Sequence, residues 1–570
     1  MQDVVGFETR CLHALVKVFP DEELREQPYT RGSALRGETF DFQVAYRAPA
    51  LTKPIRVSVA SALGADITLR EVGLAPSELP CQRRHDDNVL RVTPGLYPDP
   101  LYPIDEEQGV TGIHYQWRTV WISVELNEGT PPGTYAVTVR FAAMTGEKFG
   151  EESFRLEVMP AVLPPQTLIH TEWFHADCLA NYYGVDVFGD AHWLLIERYM
   201  QTAVRHGMNM VLTPHFTPPL DTQVGGERPT VQLVDVRKEE DGTYAFGFGR
   251  LLRWIELCDR VGIRYFEFSH LFTQWGAKHA PKVMAEEQGE LRRIFGWETD
   301  AAGEAYMSFL GRYLPALMEF LREQGLEERC YFHISDEPLL EHMPWYRSAS
   351  ELMQAHLGDM PIIDALTHYD YYEQGLVKRP VPANDHIEPF LERQVPELWT
   401  YYCCVQYRQV SNRFFNMPSA RNRVIGVQLY KFRIAGFLHW GYNFWNTQYS
   451  LQPVDPYRVT DAGRSFPSGD AFLVYPGKEG PVESIRMEVF YEGLQDLRAL
   501  QLLESLAGRD RVLAMIEEGL AEPLTFSRYP TDAEWLLGLR ERVNEAIRDT
   551  SESNRRGESN ESGEYIERRE

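Results

Sequence analysis

Between residues 165 and 445 the sequence alternates amphipathic helical segments with short apolar runs. A helix that Asp190 can cap ends at Gly207, and an apolar run begins directly after it. The same order recurs after Gly262 and Gly325. The pattern predicts eight strands, at residues 168–175, 208–213, 263–269, 329–335, 361–365, 381–387, 398–403 and 436–443. Eight such strands favour a (β/α)8 barrel of the TIM type.

The preceding segment has a different period. From about residue 37 to 159 apolar side chains alternate with polar ones, which is typical of half-buried antiparallel strands. Residues 96–108, rich in proline and acid, are predicted to form a long loop, and residues 130–133 a tight turn. Six to eight strands with turns between them favour a β-sandwich. Prolines at 160, 164 and 165 mark its end.

After the barrel the period becomes helical from about residue 484 to 547, and these helices are predicted to pack on the outside of the barrel. The last residues are Ser, Asn, Glu and Arg with almost no apolar content, which indicates a disordered tail. The predicted organisation is an N-terminal β-sandwich (1–160), a catalytic β/α barrel (161–480), a C-terminal helical region (481–548) and the tail (549–570).

Charge and composition restrict the partners. The 57 Lys and Arg against 83 Asp and Glu give a formal net charge of −26, which disfavours nucleic acid and anionic membranes. A neutral ligand is the better expectation, and no cofactor motif is present. The seven cysteines have no zinc or disulfide spacing. The sequence begins without the pattern of a signal peptide, and no run of roughly 18 apolar residues occurs, so we expect a cytoplasmic protein.

The fourth predicted strand ends in two acids. Residues 331–338 read Tyr-Phe-His-Ile-Ser-Asp-Glu-Pro, so Asp336 and Glu337 follow an apolar run and precede a proline. Unpaired charges in a core are unfavourable by several kcal/mol, which indicates that this strand end faces solvent or a ligand. In the alternative interpretation Asp336 caps the next helix and Glu337 is solvated. In a barrel, both acids would project into the ligand-binding mouth.

Other strand ends supply aromatic and polar side chains. The candidate substrate-binding residues are Trp173, His175, His270, Trp275, His333, Asp385, Tyr401, Trp440, Asn443 and Trp445. Carboxylates among Trp and Tyr favour a sugar site over a metal or phosphate site. His175, Asp177, His270, His333 and Asp336 could in principle bind a metal, but no local ligand motif supports this, so no metal is predicted.

The adjacency of the acids restricts the mechanism. An ordinary retaining glycosidase places its acid and its nucleophile on opposite sides of the bond, usually on different strands. Neighbouring acids suit substrate-assisted cleavage, in which a 2-acetamido oxygen attacks the anomeric carbon. Glu337 would then be the acid/base and Asp336 the partner of the acetamido N–H.

Four segments, at residues 331–338, 436–443, 469–477 and 484–488, resemble glycoside hydrolase family 123 and the bacterial proteins labelled as domain of unknown function 4091. The resemblance covers about residues 165–510. It implies a retaining exo-β-N-acetylgalactosaminidase, and the family's adjacent Asp–Glu pair matches Asp336 and Glu337.

The sequence therefore predicts a retaining β-N-acetylhexosaminidase acting on small or oligosaccharide glycosides, with galactosamine preferred only by resemblance. Two alternatives stay open: a glycosidase of the same fold for sugars without an acetamido group, and a carbohydrate-binding relative without turnover. The oligomeric state does not follow from the sequence.

Overall fold

The computed structural model describes the backbone of residues 6–567 and the side chains of residues 6–553. The amino-terminal part forms ten strands: β1 (Glu8–His13), β2 (Arg31–Arg36), β3 (Thr39–Arg47), β4 (Thr52–Ser61), β5 (Asp66–Ser77), β6 (Gly95–Pro103), β7 (Val110–Gly112), β8 (Trp117–Glu125), β9 (Gly133–Ala143) and β10 (Lys148–Val162). The predicted β-rich amino-terminal region is therefore confirmed.

These strands form two five-stranded sheets with the orders β1-β3-β8-β5-β6 and β2-β10-β9-β4-β7. Phe42, Val44 and Ile122 of the first sheet share one buried cluster with Val139 and Phe154 of the second. The apolar face that the alternation predicted is thus the face on which the sheets meet. One pairing departs from the expected antiparallel pattern, because β2 and β10 are parallel.

The prediction of a long loop at residues 96–108 is wrong in part. Strand β6 covers Gly95–Pro103 and pairs with β5 in antiparallel register. It lies at the edge of its sheet, where prolines such as Pro98 and Pro100 are tolerated because fewer ladder hydrogen bonds are needed there.

Fourteen further strands lie in the described chain: β11 (Ile169–Glu172), β12 (Met210–Thr213), β13 (Asp235–Lys238), β14 (Tyr244–Gly247), β15 (Tyr265–Phe268), β16 (Val283–Glu287), β17 (Glu290–Phe295), β18 (Cys330–Phe332), β19 (Ile363–Leu366), β20 (Arg379–Pro382), β21 (Trp399–Tyr401), β22 (Gly436–His439), β23 (Tyr475–Pro476) and β24 (Pro481–Val482). The twelve described helices are α1 (Ala176–Tyr183), α2 (Asp190–Arg205), α3 (Gly249–Val261), α4 (Glu304–Glu323), α5 (Met343–Leu357), α6 (Asp370–Glu373), α7 (Glu388–Glu392), α8 (Ser419–Arg423), α9 (Ile425–Lys431), α10 (Ile485–Ala507), α11 (Arg509–Glu517) and α12 (Ala533–Glu567).

All eight strands predicted after residue 165 are present. Six of them form a parallel sheet in the order β18-β15-β12-β11-β22-β21, and β19 pairs with β20 in parallel. Single parallel bridges connect Phe332 to Ile362 and Ala383 to Tyr401. Each of the eight strands thus has a parallel neighbour on both sides, and their carboxyl ends lie on one face. Helices that end at glycine precede several of them, as at Gly262 with φ +102°.

Helices α10 and α12 join the carboxyl-terminal part to the rest of the molecule through buried charges. Arg540 of α12 donates to Asp496 of α10 at 3.0 Å and also to Glu38, between β2 and β3. Arg423 of α8 donates to the same Asp496 at 2.7 Å and 2.9 Å. All four side chains are buried, so the network connects the amino-terminal sheets with the helices.

Replacing Arg540 by Met is expected to lower the free energy of unfolding by about 3–5 kcal/mol, because two buried carboxylates lose a cation. The measurement is urea denaturation followed by tryptophan fluorescence. Arg548→Met on the same helix is the matched control, since its ion pair with Glu157 is partly exposed and contributes about 0–1 kcal/mol. Equal effects of the two substitutions would contradict the role of the network.

The last helix, α12, includes residues 549–567, for which the sequence predicted a disordered tail. The segment continues a helix whose earlier turns pack against α10, so no separate nucleation is needed. Residues 568–570 of the predicted tail lie outside the described residues. Among the described helices, none is both long and apolar enough to cross a membrane.

Candidate active site

A pocket of about 180 Å³ opens at the carboxyl ends of the parallel strands. Its lining comes from residues that end or follow β11, β12, β15, β18, β19, β21 and β22. They are Trp173, Leu220, Asp221, Gln274, Trp275, Asp336, Glu337, Ala365, Tyr401, Cys403, Cys404, Leu438, Trp440, Gln448 and Phe466. Larger surface cavities occur elsewhere, but this one combines aromatic walls with three carboxylates.

Asp336 and Glu337 lie side by side in this pocket. The Glu337 N–H donates to Ala365 O of β19 at 3.1 Å, and its backbone has φ +42°. The Tyr401 hydroxyl donates to Glu337 Oε1 at 2.6 Å, which fixes the carboxylate. The Asp336 carbonyl accepts from Trp275 N at 3.0 Å, but its carboxylate accepts no hydrogen bond from the described residues. Asp336 therefore has a carboxylate available for a ligand N–H.

The alternative role of Asp336 as a helix cap is not realised. The short 3-10 turn after Pro338 begins at Leu340 with Leu339 in the cap position, and α5 follows from Met343. The left-handed backbone of Glu337 instead turns the chain so that both acids point into the pocket.

Burial raises the pKa of both acids. For Asp336 the charge of Glu337 raises the pKa further, and the nearby His333 opposes the shift. For Glu337 the Tyr401 hydroxyl lowers the pKa, while the charges of Asp470 and Asp385 raise it. Burial and mutual repulsion thus both favour the protonated form of one member of the pair, as acid catalysis requires.

Beneath the pocket a buried imidazole lies between two carboxylates. His333 Nε2 is 2.6 Å from Glu267 Oε1, and its Nδ1 is 2.9 Å from Asp364 Oδ1. All three side chains are fully buried. Burial alone lowers the pKa of His333, but Asp364 and Glu267 together raise it to about 9. His333 is therefore an imidazolium at neutral pH, and it donates to both acids.

This imidazolium makes stability depend on pH. The ordinary pKa of His is about 6.5, and the folded value is higher, so the contribution is complete below about pH 6.5 and is lost as pH rises through about 9. Its size is about 3 kcal/mol. The urea midpoint of the native protein should fall over this window more steeply than that of His333→Asn. Parallel curves would show that His333 is neutral in the folded protein.

Two indole rings of the pocket are held by buried carboxylates. Trp173 Nε1 donates to Glu267 Oε1 at 2.7 Å, and Trp440 Nε1 donates to Asp470 Oδ2 at 2.9 Å. Charge-assisted bonds of this kind fix the plane of each ring. The pocket thus has two rigid aromatic surfaces that can contact the C–H faces of a sugar.

Two groups of described residues bring three possible metal ligands close together. His270, His333 and Asp364 offer atoms within 4.8 Å of one another. The two imidazoles, however, stack at 4.1 Å with planes 21° apart, so their in-plane lone pairs run side by side and do not converge on one ion. Both nitrogens of His333 are also engaged by carboxylates. The second group, at His206, Glu483 and Glu488, already binds Arg70.

The structure separates the predicted site residues into two groups. The residues that line the pocket are Trp173, Trp275, Asp336, Glu337, Tyr401 and Trp440. The residues that lie behind or beside this lining are His175, His270, His333, Asp385, Asn443 and Trp445. His175 Nε2 contacts Trp440 O at 2.9 Å, and Asn443 Oδ1 accepts from His175 N at 2.8 Å. Trp445 is buried and donates to Val474 O, and Asp385 accepts from Gln406 at 3.1 Å.

Several lining residues were not among the predicted site residues. Asp221 lies on the loop after β12, and its side chain accepts from Tyr449 N at 3.0 Å. Burial raises its pKa to about 6. Cys403 and Cys404 follow β21 after Tyr402 and could have been found from the rule that strand ends form the site. Asp221 had no such signal, because it lies eight residues beyond its strand.

Adjacent carboxylates in a Trp- and Tyr-walled pocket, at the carboxyl ends of parallel strands, define the site of a glycoside hydrolase. The family model "Glycoside hydrolase 123, catalytic domain" matches residues 173–503, and the chain belongs to this family.

A solved structure of a family 123 enzyme has the same fold as this chain. A family 123 glycoside hydrolase from Clostridium perfringens, studied for glycolipid glycan hydrolysis, aligns with a TM-score of 0.75 at 15% identity, covering 96% of this chain and 99% of that one. A Parabacteroides merdae β-glucuronidase aligns with a TM-score of 0.30 at 10% identity, over 80% of this chain and 49% of its own. No curated protein matches the sequence.

Proposed function

We propose that the protein is a retaining exo-β-N-acetylgalactosaminidase or β-N-acetylhexosaminidase that uses substrate-assisted catalysis. The main supporting observation is the asymmetry of the acid pair: Glu337 is anchored by Tyr401, whereas the Asp336 carboxylate has no described partner. We further propose that the eight parallel strands form a (β/α)8 barrel and that the two amino-terminal sheets form a β-sandwich.

In the proposed reaction the acetamido oxygen of the substrate attacks the anomeric carbon. Glu337 gives its proton to the glycosidic oxygen, the C–O bond breaks, and an oxazolinium ion forms. Asp336 accepts the acetamido N–H and stabilises the positive charge that develops there. Glu337, now a carboxylate, then takes a proton from water, which attacks the anomeric carbon and opens the oxazolinium. Two inversions at this carbon give net retention.

The second candidate is a glycosidase for sugars without the acetamido group. It is favoured by Asp221, a third carboxylate in the pocket that could attack the anomeric carbon from another loop. Asp221 is less suited to this role, because it accepts from Tyr449 N and burial raises its pKa to about 6. The described lining contains no Lys or Arg, which supports neutral over anionic sugars in either case.

The exposed side chains around the pocket favour a substrate with an apolar leaving group. Trp275 is 40% exposed and Tyr449 38% exposed, and their rings meet edge to face. Leu339 and Leu340, also exposed, follow Glu337 after Pro338. The Clostridium perfringens relative is described as acting on glycolipid glycans. We propose that this apolar rim contacts the aglycone of the substrate.

The test compares aryl N-acetyl-β-galactosaminide, its glucosaminide epimer and the plain β-galactoside, with proton NMR to identify the first anomer released. We expect turnover of the acetamido sugars only, with the β-anomer formed first, and tight competitive inhibition by a thiazoline analogue of the oxazolinium. Hydrolysis of the plain galactoside with equal efficiency would support the second candidate instead.

A further inference from the structure

Two adjacent cysteines lie in the pocket without a role in the proposed reaction. Cys403 and Cys404 both line it, and Cys403 Sγ lies 3.9 Å from Glu337 Oε1. That oxygen is the same one that the Tyr401 hydroxyl contacts. A group attached to either sulfur would therefore occupy the space next to the acid/base.

The backbone presents these thiols rigidly. Cys403 N donates to Gln406 Oε1 at 2.9 Å, and Asn412 Nδ2 donates to Cys403 O at 2.9 Å. The other cysteines lie apart from one another, with Cys81 half-buried near the amino-terminal sheets and the rest buried in cores. Cys403 and Cys404 thus form the only neighbouring thiol pair in the sequence.

The surroundings raise the pKa of both thiols. The interaction with Cys404, burial and the charge of Glu337 raise the pKa of Cys403. Cys403 lowers the pKa of Cys404, but burial and the charges of Asp470 and Glu337 raise it overall. Thiols in this state react slowly with single-site alkylating reagents, since the thiolate is the nucleophile. Because both residues line one pocket, a ligand that binds both sulfurs forms its second bond within the same molecule, which favours it over a ligand that binds one.

We propose that Cys403 and Cys404 form a two-thiol site for trivalent arsenicals, and that its occupation closes the sugar pocket. An organoarsenic oxide R–As=O reacts with two thiols to give R–As(SR′)2 and water. Both S–H bonds and the As=O bond break, two As–S bonds form, and the two protons leave with the oxygen. No oxidant or reductant takes part. Binding is independent of the proposed function; only the resulting inhibition rests on it.

The test treats the whole native protein with phenylarsine oxide and measures intact mass together with free-thiol titration. We expect one arsenical per chain, the loss of two titratable thiols, and release by a dithiol such as 2,3-dimercaptopropanol but not by a monothiol at equal thiol concentration. Hydrolytic activity should fall in proportion to the adduct and return with the dithiol.

Three variants locate the adduct. Cys403→Ser and Cys404→Ser should each lose the monothiol-resistant adduct, and Cys81→Ser should keep it and keep its activity. Circular dichroism checks that each variant is folded, and the less buried Cys404 provides a second test if Cys403→Ser is unstable. An adduct that survives in both pocket variants, or that a monothiol removes as easily, overturns the proposal. Because mass and thiol counts do not depend on turnover, this result is distinguishable from failure of the proposed function.

Discussion

Replacing Glu337 by Gln is expected to lower kcat on an N-acetyl-β-galactosaminide with a poor leaving group, such as an alkyl glycoside, by about 10²–10⁴-fold. The amide keeps the shape and the hydrogen bond from Tyr401 but cannot give a proton to the glycosidic oxygen. Without that proton the leaving group departs as an alkoxide, which is far less stable than an alcohol. The measurement is kcat and KM for native and variant protein on matched substrates.

The dependence on the leaving group separates this role from a structural one. A 2,4-dinitrophenyl glycoside releases 2,4-dinitrophenolate, a stable anion that needs little protonation. Glu337→Gln should therefore keep most of the native rate of the first step on this substrate. Tyr401→Phe is the matched control for the hydrogen bond alone, and its smaller defect should not vary with the leaving group. A Glu337→Gln defect of equal size on both substrates would exclude Glu337 as the acid.

The pH dependence of activity tests the role of Glu337 independently. The acid must be protonated to act, and burial raises the pKa of Glu337. Activity should therefore persist toward neutral pH and fall on the alkaline side as the proton is lost. In Glu337→Gln the alkaline limb should disappear with an activated substrate, because no proton transfer remains to titrate.

The sequence predicted the strands and the residues at their ends, because both follow from local patterns along the chain. The eight strands were found because each carries a local apolar run, and Asp336 and Glu337 because they end one of these runs. Trp173, Tyr401 and Trp440 followed from the same rule, since strand ends form the mouth of the pocket. These inferences need only the period of the sequence and the position of strand ends.

The contacts that the sequence did not predict depend on strand register and on the paths of loops. Glu267, His333 and Asp364 meet because three neighbouring strands place them at one level, and no local pattern specifies that alignment. Glu267 did give a signal, as an acid between Phe266 and Phe268 in a buried strand. His333, which was predicted to bind the substrate, instead lies beneath the lining of the pocket.

The sixth strand shows how a small shift moves a site residue. It was predicted at residues 381–387 but ends at Pro382, so Asp385 lies in the turn beyond it and contacts His386 and Gln406. His175 and Asn443 also follow strands, yet they bond to each other behind the wall of the pocket. Side-chain direction after a strand end depends on the turn that follows, which the sequence pattern does not give.

Replacing Asp336 by Asn is expected to lower kcat/KM on acetamido sugars by about 10²–10³-fold, whatever the leaving group. The carboxylate accepts no hydrogen bond in the described structure, so removing its charge breaks no internal contact and the fold should be unchanged. What is lost is the acceptor for the acetamido N–H and the negative charge that stabilises the oxazolinium. Asp336 acts on the acetamido group and not on the leaving group. A 2,4-dinitrophenyl glycoside should therefore not restore the activity of Asp336→Asn.

The contrast between the two variants tests the division of labour within the pair. Glu337→Gln should respond to the leaving group and Asp336→Asn should not, while the thiazoline analogue should bind more weakly only to Asp336→Asn, because this analogue reproduces the ring that Asp336 contacts. Neither substitution alters the Trp173 and Trp440 walls, so binding of galactose, which has ring faces but no acetamido group, serves as the control for an intact pocket. If Asp336→Asn instead followed the leaving group and kept its affinity for the thiazoline, the roles of the two acids would have to be exchanged. Burial and the charge of Glu337 raise the pKa of Asp336 although His333 opposes the shift, so the dependence on the leaving group, and not the pKa shifts, decides which acid carries the proton.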